Sequence, residues 1–173
     1  MISISPKSKS GACEESWKLR QTPNRSKVPI QTLMYQIVID TNVLVAAMRS
    51  NRGASYRLLG QLGSPDWRPN VTVPVVLEYE EVLKRTCRNF GLTEEDIDDV
   101  IDAICTEAGL HRLYFLWRPV AADPDDDLIL EAAIASHSDF IVTYNQRDFP
   151  DSGRFGIRCL TPREFLILLE RPI

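Results

Sequence analysis

Apolar residues along this chain follow two rhythms, and the switch from one to the other marks its elements. Short unbroken runs such as Ile37-Val38-Ile39 and Phe140-Ile141-Val142 have no polar position on either face, as strands buried on both sides of a sheet require. Between them, apolar residues recur at helical spacing. The first run predicts a strand over about 35 to 40, followed by a helix through Val43 to Met48 and a second across Ala54 to Leu62. Val71-Thr72-Val73 reads as a short strand, and Pro74 suits the first position of a helix continuing to about Arg88. Thr93-Glu94-Glu95-Asp96 has the form of a capping box, with Leu92 and Ile97 as its staple. Ile97, Val100, Ile101, Ile104 and Cys105 then repeat at helical spacing up to a stop near Gly109.

Arg112 to Trp117 predicts another strand, and Asp123-Pro124 opens a helix that buries Ile129, Leu130, Ala133 and Ile134. Phe140 to Val142 and Ile157 to Leu160 are the remaining strands, the last followed by a second capping box, Thr161-Pro162-Arg163-Glu164. Strand and helix alternate, which argues for an α/β fold: a three-layer α/β/α sandwich with a central parallel sheet of four to five strands. Residues 1–33 are rich in Ser, Lys, Pro and Gln and show little periodic apolar content, so they read as a disordered or loosely attached N-terminal extension to a single domain over 34–173. Met34 directly precedes the first strand, and a native start there is the corresponding expectation.

Charge sharpens this division. Residues 1–33 carry six Lys/Arg against two Glu, whereas 34–173 carry 14 against 22, a balance of +4 against −8. An acidic domain is poorly suited to nonspecific nucleic-acid binding unless cations change its balance. Cys13, Cys87, Cys105 and Cys159 lie far apart, which suggests neither a zinc site nor a disulfide framework and fits a reducing cytoplasm. No apolar run approaches the ~18 residues of a membrane span, and the N-terminus lacks a secretory signal.

The candidate chemistry is carboxylate. Asp40 ends the first strand, and in an open parallel sheet that junction faces the ligand crevice. Glu78, Asp126 and Asp148 stand at comparable strand ends or helix starts, so a parallel sheet brings all four to one rim. Crowded carboxylates repel and raise one another's pKa unless a cation neutralises them. Without His or Cys at ligand spacing, Mg2+ or Mn2+ is favoured over zinc, and metal-assisted phosphodiester hydrolysis is the natural reaction class.

Four segments, Val38-Ile39-Asp40-Thr41-Asn42-Val43-Leu44, Glu78-Tyr79-Glu80-Glu81-Val82-Leu83, Asp123-Pro124-Asp125-Asp126-Asp127 and Ile141-Val142-Thr143, together resemble the PIN-domain nucleases in order and spacing. The likeness is to the branch of toxin components of toxin-antitoxin pairs. It implies a metal-dependent, single-strand-directed ribonuclease leaving 5′-phosphate and 3′-hydroxyl ends. It also implies Asp40, Glu78 and Asp126 as metal-binding acids, with Asn42 and Thr143 as polar supports. Many relatives place an acid directly after the fourth strand, where this chain has Asn145; Asp148 is the nearest replacement and the candidate for a second ion. RNA is the implied substrate, and an antitoxin protein and a second copy of the chain in a homodimer are the partners left open.

Blander readings stand beside these. Asp40 suits a helix N-cap, Glu80 and Glu81 pair at helical spacing with Lys84 and Arg85, and Asp125 or Asp127 is placed to share or replace the role of Asp126. Asp148 also reads as an ordinary loop acid, and His111 and His137 as structural or surface residues. Arg49, Arg52 and Arg57, or Lys84, Arg85 and Arg88, are positioned to hold RNA phosphates, although the second group also suits a helix C-terminus. A haloacid-dehalogenase-type phosphatase needs an acid where Asn42 stands, and a receiver domain needs a Lys where Thr161-Pro162 stands. A binding or regulatory module with a weakened metal site is the nonenzymatic alternative.

Overall fold

In a computed structural model, residues 34–113 and 124–170 are described, apart from the side chains of residues 124–126. The chain divides into Met1–Gln31 and Thr32–Ile173, and the described residues all belong to the second unit. Its strands are β1 (Tyr35–Ile39), β2 (Trp67–Thr72), β3 (Gly109–His111), β4 (Phe140–Val142) and β5 (Arg158–Leu160). Its helices are α1 (Thr41–Arg49), α2 (Ala54–Leu59), α3 (Val73–Thr86), α4 (Glu94–Glu107), α5 (Pro124–Ala135) and α6 (Pro162–Leu169).

The strands form one sheet in the order β3-β2-β1-β4-β5, and every pairing is parallel. β1 therefore lies at the centre, with the next two strands added on one side and the last two on the other. Ile37, Val38 and Ile39 of β1 and all three residues of β4 are at most 2% exposed, which is why their sequences show no alternation. Around them α5 packs on β1, β2 and β4, α3 and α4 pack on each other and on β2, and α6 packs on β5 and α2.

Aromatic residues close the amino ends of the strands. Phe165 of α6 is fully buried and lies 5.7 Å from Phe140, 6.1 Å from Trp67 and 6.3 Å from Tyr35, centroid to centroid. Contacts of this edge-on or tilted kind contribute about 0.5–1.5 kcal/mol each beyond the area they bury. Both helices with predicted boxes begin as expected: Thr93 and Thr161 accept from the backbone N–H of Asp96 and Glu164, whose carboxylates accept in return. The cap expected at Asp123 lies outside the described residues.

Three element boundaries differ from expectation. β2 begins at Trp67, well before Val71, and Val73 already belongs to α3. Pro69 obscures this strand in the sequence; it is tolerated because β3 pairs with β2 only from Asn70 onward, so at Pro69 the strand has β1 as its one neighbour. β3 covers Gly109–His111, with Arg112 outside it, whereas residues 114–117 of the expected strand lie outside the described residues. α2 stops at Leu59 because Gly60 caps it.

A buried amide shapes β3. Asn70, 2% exposed, donates to Gln36 Oε1 at 3.1 Å, and its Oδ1 is 2.8 Å from His111 Nε2. Gly109 is the register partner of Asn70, and a Cβ there would stand 2.4 Å from Asn70 Oδ1 and 2.9 Å from His111 Nε2. Only glycine lets the amide cross to the imidazole. His137 is structural as well: at φ 51 it closes α5, with its N–H bonded to Ile134 O and that of Ser138 to Ala133 O at 3.2 and 2.9 Å, the pattern of a Schellman cap.

Gly109→Ala is expected to cost about 1–3 kcal/mol in urea denaturation, the usual range for forcing an atom into a filled site. The losses from Gly109→Ala and Asn70→Ala should add to less than their sum, because the second removes the group that the first strikes.

Candidate active site

Chain order reverses direction across the sheet between β1 and β4, and the crevice beyond their carboxyl ends is the ligand position of an open parallel sheet. Asp40 follows β1 there. It is the N-cap of α1, with extended backbone angles of φ −72 and ψ 143. Its Oδ1 accepts from Asn42 N at 3.2 Å, and its Oδ2 accepts from Asn42 Nδ2 at 2.6 Å and Thr143 Oγ1 at 2.5 Å. The capping reading and the site reading are therefore both met by one carboxylate. Two bonds go to Oδ2 and one to Oδ1, so among the described residues Oδ1 keeps acceptor capacity for a further partner.

Thr143 and Asn42 are tied to each other as well as to the acid. Asn42 Nδ2 lies 3.2 Å from Thr143 Oγ1, Asn42 Oδ1 accepts from Tyr144 N at 3.2 Å, and Thr143 Oγ1 accepts from Asn145 N at 2.9 Å. These bonds lock the end of β4 to the start of α1. With the bonds to Asp40 itself, they fix which of its oxygens takes two bonds.

Glu78 reaches the same region from α3. Thr41 Oγ1 donates to Glu78 Oε1 at 2.5 Å, and the Tyr79 hydroxyl donates to the carbonyl of Ile39. The residues before and after Asp40 are thus each bonded to neighbouring positions of α3. Tyr79 is fully buried, and its hydroxyl is held well above its ordinary pKa by burial first, then by the charges of Asp40 and Glu78.

Burial raises the pKa of Asp40; the bonds from Thr143 and Asn42 oppose this, and the Asp148 carboxylate adds to it. Asp148 lies in a 3-10 turn, Gln146–Asp148, a few residues beyond the end of β4. The charge of Asp148 therefore acts on Asp40, and those of Asp40 and Glu78 both act on Tyr79. Asp126 lies at the start of α5, and its side chain is outside the described residues. Among the described residues, no three His, Cys, Asp or Glu side chains group tightly enough to hold a metal ion.

Other groups were not singled out in the sequence. Tyr79 and Thr41 had no signal, because their bonds depend on how α3 meets β1. Glu131 had one: it is the lone acid in Leu128-Ile129-Leu130-Glu131-Ala132-Ala133-Ile134. It is 3% exposed, and Asp127, one turn earlier on α5, is 4% exposed, so the helix that packs on α3 and β1 carries two buried carboxyl groups.

An α/β/α sandwich with acids at its topological switch is a class of architecture shared by several enzyme families. Residues 36–147 match the PIN domain, and the chain belongs to that family, whose members are generally nucleases that typically use divalent metals. This sets aside the phosphatase and receiver readings. Among solved structures, a chain of the crystal structure of VapBC2 from Rickettsia felis bound to a DNA fragment from their promoter is similar in fold, with a TM-score of 0.51 and 16% identity over 73% of this chain and 98% of that one. No curated protein matches the sequence. Among the described residues, no helix is long and apolar enough to cross a membrane.

Tyr79→Phe should leave the Ile39 carbonyl without its buried partner and cost about 1–3 kcal/mol in chemical denaturation. A stability equal to wild type would show that this bond does not anchor α3 to β1.

Proposed function

We propose that the chain is a Mg2+- or Mn2+-dependent endoribonuclease, the toxin of a toxin-antitoxin pair, with its nuclease domain in residues 34–173 and residues 1–33 as an extension. The observation that carries this reading is the placement of Asp40 at the switch between β1 and β4, its Oδ2 fixed by Asn42 and Thr143, with Glu78 bonded to the adjoining Thr41. The donors gathered there are carboxylate and hydroxyl oxygens, a set that suits a hard divalent cation. Asp40, Glu78 and Asp126 are the residues assigned to hold it, and Asp148 to assist with a second.

When bound, such a cation supplies an activated water and neutralises charge on the phosphate. The chain's own residues prepare the site for it. Asn42 and Thr143 hold Asp40 in one orientation, so that the acceptor capacity left on Oδ1 is available to the cation at no reorganisation cost. Thr41 restrains Glu78 in the same way. RNA is the substrate, an antitoxin the protein partner, and a homodimer and a cytoplasmic location belong to the same reading. The VapBC2 fold likeness supports the toxin assignment.

Asn145 favours a second reading. An amide stands directly after β4 where many relatives carry an acid, and its backbone N–H is engaged with Thr143. A domain weakened in this way would serve as a binding module, and metal titration separates the two.

Manganese added to metal-free protein is expected to raise its thermal midpoint, as any ligand of the folded state does, and Asp40→Asn should remove most of that rise. The same substitution should lower cleavage of single-stranded RNA by ~100-fold or more, about 2.7 kcal/mol of transition-state stabilisation. Absence of any carboxylate-dependent manganese uptake would establish the binding module, and undiminished cleavage by the variant would remove Asp40 from its assigned role.

A further inference from the structure

We propose that Tyr144 is a stacking platform for the base beside the scissile phosphate of a single-stranded RNA. This rests on the ribonuclease reading and names where that site grips its substrate. Tyr144 directly follows Thr143, so its backbone stands beside the hydrogen-bonded group around Asp40, where its N–H donates to Asn42 Oδ1 at 3.2 Å. Its far end is held too. The hydroxyl lies 2.9 Å from Oγ of Ser55, a residue of α2 that is 1% exposed.

Between these anchors, 47% of the residue's surface remains open to solvent. Fixing a side chain costs rotamer entropy, and burying a ring repays it only for the surface removed from water. Tyr144 incurs the first and realises about half of the second. A nucleobase laid on the open face would complete the burial. Stacking of this kind tolerates any base, because each has a π face, and a ring already held in place loses little freedom when the base arrives.

The ring also lies on the path that a substrate strand would follow. One anchor, Asn42, holds Asp40; the other, Ser55, sits just beyond the turn after α1, where Arg49 and Arg52 are exposed. Guanidinium groups there would bind the phosphates that flank the cleaved one, with the tyrosine bonded at one end to Asn42, which holds Asp40, and at the other to Ser55 of α2. The acidic charge of the domain makes this useful, since stacking supplies affinity that its net electrostatics does not.

The test compares cleavage of a single-stranded oligoribonucleotide with that of the same oligomer carrying one abasic nucleotide, scanned through the positions around the cleavage site, for wild type, Tyr144→Ala, Tyr144→Leu and Tyr144→Phe. In wild type, one abasic position adjacent to the cleaved bond should raise KM by about tenfold, the order expected for one base–aromatic stack. Tyr144→Ala should raise KM for the intact RNA by a similar factor and abolish the penalty at that position alone. Tyr144→Phe should retain the penalty, and Tyr144→Leu, which fills the space without a π face, should behave like the Ala variant and substitutes for it if that variant loses its thermal midpoint. An equal abasic penalty in wild type and both non-aromatic variants overturns the platform while leaving the nuclease intact. If the wild-type chain cleaves no RNA, the nuclease reading falls and the platform with it.

Discussion

A carboxylate held out of water at the end of the central strand is the constraint around which this domain is arranged. Asp40 is 7% exposed, and burial alone would favour its neutral form. Three donors from two residues offset that cost, and supplying them requires α1 to start at once after β1 and β4 to end level with it. The parallel pairing of Ile39 with Val142 provides this level. Thr143 reaches Asp40 because the strands are in that register; a slip by one residue would turn its hydroxyl to the other face.

The two ends of the sheet divide the work. At the amino ends, Tyr35, Trp67, Phe140 and Phe165 form an aromatic cluster that packs the strand starts against α6. At the carboxyl ends, polar groups replace packing, and order comes from hydrogen bonds: Thr41 to Glu78, Tyr79 to Ile39, Asn42 and Thr143 to Asp40. A site made of like charges cannot stabilise itself. It is held in place by the apolar core beneath it, which is the sense in which the fold precedes the chemistry.

Local signals in this chain were strong where the environment is uniform. β1 and β4 are buried on both faces, so their sequences are unbroken apolar runs; α4 and α6 have boxes whose partners lie three residues away; Asp40 is both strand end and helix cap. Signals failed where a partner from far along the chain sets the outcome. Pro69 concealed β2 because its tolerance depends on how far β3 extends, and β3 gave no local signal because Gly109 answers to Asn70 across the ladder rather than to its neighbours.

Although Glu78 proves to lie inside α3 rather than at its start, the sequence by itself determined the alternation of strands and helices, the parallel sheet that follows from it, the two capping boxes and the positions of Asp40, Asn42 and Thr143 at element ends. These are properties of short segments, fixed by periodicity and by bonds within a few residues. The tertiary structure decided which oxygen of Asp40 is occupied, that Tyr79 and Thr41 bind α3 to β1, that Asp127 and Glu131 are buried, and that Tyr144 is held at both ends. Each of these depends on contacts between residues roughly 30 to 100 positions apart or on burial by other elements, and no local pattern encodes a distance that only the folded sheet creates.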